Sequence, residues 1–436
     1  MVFTMIKNNG YRIAYFMLAL VVFCFIYMHT PNLDYDTPGY INFDYTRPPI
    51  YPIFILLFRW AGAYHYSLIM WIQGIFLYAT LLYVRFWLQK YLHIPDFPIF
   101  LVCLFVVTTI GFHFQIWYIE SEGLAFPLFI FAFLLLVECF YQFNIKKIFL
   151  LSFIIAILVL TRLQFYYFYL MYALLCAWYL WQYLPIKQIL ISAITLFGSM
   201  FLTILIDHSY HYFKHGYFTN GSYIGIMLLA QTLYLADDNA ASYFDDPVEK
   251  DLVKTMINQR NIGKLNQDSK IISLLNPSYL NLAYQVYARN YIDLQNMIHR
   301  TLKSNDDNLN MQSYKINTLA DNINKVLLKH EFKRNSQFFL WKLVQCMGGI
   351  SSFLFFAIIL FVSGVKIIKD KIRHPNISLI FVICIALLTF FNATTIAICN
   401  PYLSIYFCYS QFMFYCLAAF LYSKYRRSFI AQHNNY

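Results

Sequence analysis

Hydrophobic runs of roughly twenty residues recur along most of this sequence, and that recurrence restricts the fold more than anything else in it. A hydrocarbon layer about 30 Å thick is crossed by about 20 helical residues. A crossing segment must also satisfy its own backbone polar groups, which a helix does and an open strand does not. The alternation over about ten residues that marks a membrane barrel is missing. Only 12% of the residues are charged, against about 25% in a soluble domain. The expectation is an all-α polytopic membrane protein with about ten transmembrane helices.

The spans read as residues 12–29, 66–84, 97–117, 123–142, 148–163, 164–183, 189–206, 338–364, 377–397 and 402–423. Three regions follow: an N-terminal membrane module (1–206), a large polar segment (207–336) and a C-terminal membrane module (337–436). The polar segment carries apolar positions at helical spacing, as in NTLADNINKVLLKHEFK, and reads as a small helical domain. The first apolar run follows Lys7 and Arg12 with no small-residue cleavage site after it, so it reads as a retained helix.

The formal charge of +11 would point to nucleic acid in a soluble chain. Here it reads as an orientation signal, and no nucleic-acid partner is expected. Lys and Arg collect in alternate short loops, among them Arg85, Lys146, Lys147, Lys366, Lys371, Arg373, Arg426 and Arg427. The other short loops hold Arg47, Arg59 and Arg162. The positive-inside rule then places both termini in the cytoplasm, with the loop 30–65 and the segment 207–336 outside. The nine cysteines lie in or beside apolar runs and form no CxxC pair, so neither a disulfide framework nor a zinc site is implied.

The loop 30–65 holds the chemistry. Asp34 and Asp36, in DYDTPGY, sit just past the first helix at the boundary between membrane and water. A partly desolvated carboxylate there acts as a general base when a substrate hydroxyl comes within reach. The plainer reading is turn chemistry in Asp-Thr-Pro-Gly. The apolar stretch Ile50 to Trp60 is too short to span and follows Pro48-Pro49, so it reads as an interfacial helix.

This loop, DTPGYI followed by TRPPIYPIFI, resembles the first outer loop of GT-C type membrane glycosyltransferases, especially the bacterial dolichyl-phosphate-mannose mannosyltransferase-like group, family 39. Asp36 holds the position of that family's acid, with Tyr40 close behind it. Ser121-Glu122-Gly123-Leu124 and Leu160-Thr161-Arg162 extend the similarity, which covers roughly the first 200 residues. The resemblance implies a GT-C-like fold and transfer of a sugar from a polyprenyl-phosphate donor to a hydroxyl of a lipid or glycan acceptor, on the outer face. It implies Asp36 as the catalytic base, with Asp34 beside it.

The departing lipid phosphate needs positive charge more than a proton donor, and guanidinium suits its oxygens. Arg47, Arg162 and Arg59 are the cations available. For Arg162 and Arg59, snorkelling to lipid headgroups stands as the rival reading. Glu122, at the mouth of the fourth span, reads as a substrate or metal contact, or as an acid favoured by a helix N-terminus. If the seventh span continues, His208, His211 and His215 share one face, a spacing that suits a divalent metal or phosphate as well as an interfacial anchor. No cofactor is demanded. The rival functions are an O-antigen polymerase or ligase-like enzyme, which relies on arginines of the large loop, and a transporter, which needs helices broken near the bilayer midplane.

Overall fold

A computed structural model describes residues 2–34, 36–221, 223–266, 277–303, 309–369, 376–401 and 404–433. Lys371 and Arg373, used above for orientation, lie outside them. The chain is 85% helical, with seventeen α-helices and no strand among the described residues. In chain order these are α1 (Val2–Met28), α2 (Thr37–Ile41), α3 (Ile50–Leu57), α4 (His65–Leu92), α5 (Asp96–Phe105), α6 (Glu122–Tyr141), α7 (Ile145–Thr161), α8 (Tyr167–Trp181) and α9 (Ile186–His215). They continue with α10 (Ile224–Leu235), α11 (Pro247–Ile262), α12 (Pro277–Leu302), α13 (Leu309–His330), α14 (Phe332–Cys346), α15 (Ile350–Lys369), α16 (Ile377–Cys399) and α17 (Ser404–His433).

Eight described helical stretches are long and apolar enough to cross a membrane: Gly10–Met28, Arg59–Leu92, Asp96–His113, Glu122–Tyr141, Leu163–Trp181, Ile186–His215, Ile350–Lys369 and Ile377–Cys399. The protein is therefore an all-α, multi-pass membrane protein. The expected span 148–163 is the 17-residue α7, packed on α6 and α9. Of the expected span 402–423, residues 404–423 fall within α17, and the first two lie outside the described residues. Helix α6 is apolar all round and lies at the centre, 78% of its spanning window buried, whereas α15 at 11% is peripheral.

Two of the boundaries that differ from the sequence expectation have a clear backbone cause. The single span 338–364 is two helices, because Gly348 and Gly349 take φ of +89° and +96° between α14 and α15. Only glycine adopts two such conformations in succession without steric cost. The seventh span runs well past residue 206, to His215, where Gly216 ends it in the left-handed conformation at φ +84°. The short apolar stretch after Pro48-Pro49 is a helix, α3, entered through Pro49 and followed by a 3-10 turn over Arg59–Tyr64.

The described polar segment forms a helical domain with its own core. Ile226, Leu229, Leu233, Val253, Tyr287, Ile298, Ile316 and Ile323 from α10 to α13 pack together, and Phe338 of α14 joins them. Arg260 is buried there, donating to the Leu233 and Ala236 carbonyls at 2.5 and 2.7 Å and to Asp238 at 2.8 Å. All nine cysteines are free.

Candidate active site

Two loops at one end of the bundle are joined by backbone. After α1, the Asn32 amide donates to the Trp117 carbonyl at 3.0 Å, and the Ile119 amide donates back to the Asn32 carbonyl at 3.1 Å. The second loop can approach because the helix widens over Val106–Gln115 into π-type turns, closed by the Ile116 amide donating to the Gly111 carbonyl at 2.9 Å. The Thr37 hydroxyl adds a buried bond to the Ile119 carbonyl at 3.2 Å. This pairing sets DTPGY beside Glu120-Ser121-Glu122. Gly123 completes the approach: a Cβ there would collide with the Gln73 amide, which donates to the Tyr51 hydroxyl and the Glu120 carbonyl.

Asp36 precedes α2, whose first turn carries Pro38. The chain then turns so that Arg47 reaches back over that helix. Its Nη2 donates to Asp36 Oδ1 at 2.6 Å, its Nη1 donates to Tyr40 Oη at 3.4 Å, and its guanidinium lies 4.6 Å from the Tyr40 ring centre. Gly39 makes room, since a Cβ there would stand 2.9 Å from Arg47 Nε. Tyr40 Oη and Ser121 Oγ are 2.9 Å apart, and Arg162 Nη1 donates to the same Ser121 Oγ at 3.3 Å. Arg162 is ion-paired with Glu122 and sits 5.0 Å from the centre of the Tyr406 ring. A continuous polar chain thus runs Asp36, Arg47, Tyr40, Ser121, Arg162, Glu122.

A cavity of about 380 Å³ opens against this chain. Arg47, Tyr40 and Arg162 line its polar side. Ile396 and Ile398 of α16, Met227 of α10 and Leu163 make its walls largely apolar. The cavity therefore combines positive charge at one point with a hydrocarbon-like surface around it, the two requirements of an anionic headgroup on an apolar tail.

Three carboxyl groups, Glu120, Asp36 and Asp34, lie close together beside the two arginines. Glu120 is buried, 6% exposed, in the turn before α6. Burial pushes its pKa up to about 7, helped by the negative charge of Asp36 and by a hydrogen bond with Asp34, while Arg162 opposes the rise. Asp34 is exposed and acts on Glu120 rather than lining the cavity.

The residues singled out from sequence divide accordingly. Asp36, Tyr40, Arg47, Arg162 and Glu122 converge. Glu122 is consumed by Arg162, with 3% of its side chain exposed, and so is not free to hold substrate or metal directly. Arg162 lines the cavity, with 14% of its side chain exposed. Arg59 is exposed, donates to the Ile41 carbonyl at 3.0 Å, and is not among the residues that line the cavity.

The histidines lie on α9 as one continuous helix. The His211 and His215 rings stack at 5.3 Å and face Tyr45, while the His208 ring turns to Phe218 at 5.2 Å. Asp207 and His211 are fully buried and 3.6 Å apart. Among the described residues no group of three or more His, Cys, Asp or Glu side chains is disposed to hold a metal ion.

Ser121, the junction of the chain, enters the sequence reading only within Ser121-Glu122-Gly123-Leu124 and without a role of its own, and Tyr406, beside Arg162, does not enter it. No local pattern marks Tyr406, which reaches the site only through the packing of α16 and α17. Comparison with protein-family models, with curated proteins and with solved structures finds no match.

Proposed function

We propose that this protein is a glycosyltransferase that moves a sugar from a polyprenyl-phosphate donor to an acceptor hydroxyl, at the outer face of a bacterial inner membrane. One observation carries the reading: two guanidinium groups from separate segments, Arg47 and Arg162, line one cavity with largely apolar walls, and a carboxylate, Asp36, is held 2.6 Å from Arg47. That arrangement fits a phosphate joined on one side to a lipid and on the other to a group under attack.

In this reading the donor phosphate enters between Arg47 and Arg162. Its oxygens compete with Asp36 for Arg47, and the freed Asp36 carboxylate takes the proton of the acceptor hydroxyl. The acceptor oxygen forms the new bond to the anomeric carbon as the sugar–phosphate bond breaks. The electron pair leaves with the lipid phosphate, whose charge the two guanidinium groups stabilise. Attack from the side opposite the phosphate inverts the anomeric centre. In the arginine-dependent polymerase or ligase alternative Arg260 would take no part, because it is buried in the helical domain and committed to backbone carbonyls and Asp238.

Mass analysis of cell-envelope glycans with and without the protein tests the proposal. A fixed mass difference of one sugar is expected, lost in Asp36→Asn, weakened in Asp34→Asn and kept in Arg59→Ala. Full activity in Asp36→Asn would overturn it.

A further inference from the structure

A second pocket, of about 310 Å³, adjoins the first and differs from it in chemistry. Its walls are Tyr45, Thr219 and Asn220 on one side and Tyr314, Asn317, Thr318 and Asp321 of α13 on the other. Asn220 and Ile224 line both spaces, so the polar pocket shares a wall with the cavity that holds Arg47 and Arg162. Tyr314 is fixed on two sides, stacked on Tyr217 at 4.7 Å and edge-on to Tyr45 at 6.0 Å. Tyr45 is fixed in turn by donating its hydroxyl to the Asn220 carbonyl at 2.9 Å.

The donors and acceptors are equally well held. Asn317 Oδ1 accepts from the Gly225 amide at 3.0 Å, which orients the rest of the amide. The Thr318 hydroxyl donates to the Tyr314 carbonyl at 2.9 Å and keeps its lone pairs for another donor. Asp321 makes no ion pair among the described residues, and burial raises its pKa. An aliphatic alcohol gains little in such a space, because the polar walls would lose water without gaining partners. A sugar has both surfaces needed: hydroxyls for a carboxylate and a hydroxyl oxygen to accept from, and C–H faces for fixed aromatic rings.

We propose that this pocket is the acceptor subsite, and that the acceptor is a carbohydrate rather than a lipid alcohol. It presents one hydroxyl past Asn220 towards the cavity lined by Arg47, on which Asp36 is held. The assignment rests on the glycosyl-transfer reading for its role, and on the pocket alone for its ligand class.

The test uses the full chain in lipid nanodiscs, with a panel of methyl glycosides of common hexoses and N-acetylhexosamines as probes. Binding is followed by saturation-transfer NMR, and farnesyl phosphate binding is followed separately by intrinsic fluorescence. At least one glycoside is expected to bind saturably. Asp321→Asn should weaken it at least tenfold, as loss of a charged acceptor implies. Thr318→Trp, on the exposed side of α13, should abolish it by filling the space. Farnesyl phosphate affinity should be unchanged in both variants.

No saturable glycoside binding, or equal binding in both variants, overturns the acceptor assignment even if farnesyl phosphate binds. Binding of a serine peptide in place of the glycosides, displaced by Thr318→Trp, would likewise overturn it in favour of a protein acceptor. Conversely, glycoside binding that is lost in both variants, with farnesyl phosphate affinity indifferent to Arg47→Ala and Arg162→Ala, removes the donor reading and leaves the pocket's ligand class standing.

Discussion

The site contains two arginine–carboxylate pairs that differ sharply in what they hold together. Glu122 and Arg162 have 3% and 14% of their side chains exposed, whereas Asp36 and Arg47 have 47% and 21%. Removing one partner of a buried pair leaves an uncompensated charge and costs about 3–5 kcal/mol. A half-exposed pair is screened by water, and its loss costs about 0–1 kcal/mol. Glu122→Gln should therefore lower the unfolding free energy by about 3–5 kcal/mol, and Asp36→Asn by no more than about 1 kcal/mol. The double variant Glu122→Gln with Arg162→Met should recover most of the loss, because no buried charge remains to be orphaned. Steric-trapping measurements in bicelles give these free energies directly. Equal costs for Glu122→Gln and Asp36→Asn, or a double variant no more stable than Glu122→Gln, would refute the division into a buried pair and a half-exposed one.

Two further outcomes follow from the same geometry. Gly39→Ala places a Cβ 2.9 Å from Arg47 Nε, which pushes the guanidinium off its 2.6 Å contact with Asp36. Farnesyl phosphate affinity should fall several-fold with little change in stability, and an unchanged affinity would show that Arg47 does not set the site. Glu120 titrates near 7 in the folded protein against an ordinary 4.5, so the folded state binds this proton more tightly than the unfolded state. Stability from this group is greatest below about 4.5 and declines as pH rises through about 7, by up to about 3 kcal/mol. Unfolding free energies at pH 5 and pH 8 should differ in that direction, and Glu120→Gln should narrow the gap.

The architecture was legible because bilayer thickness imposes a length and an apolarity on each span that local sequence must meet by itself. Helices α1, α4, α6, α8 and α16 fall where hydropathy puts them. Where the reading missed, the cause was local backbone chemistry outweighed by a long apolar run. Gly348-Gly349 was in plain view inside 338–364, and the pair breaks the helix through its two positive φ values. The extension of α9 to His215 is carried by packing, with Asp207 and His211 buried despite their polarity.

The site divides in the same way. That Asp36, Tyr40 and Arg47 lie near one another is a property of a short loop, and sequence alone brings them within reach. That Arg162 and Glu122 belong with them depends on α6 and α7 packing side by side, and on the backbone pairing of Asn32 with the Trp117–Ile119 segment. Tyr406, and the polar pocket of α13, reach the same place only because helices distant in the chain close around it. Sequence fixes which segments enter the membrane, since each must satisfy its own backbone and bury its own length. Which charges end up paired, and which remain for a ligand, is decided by side-chain packing between segments, and no local pattern encodes it.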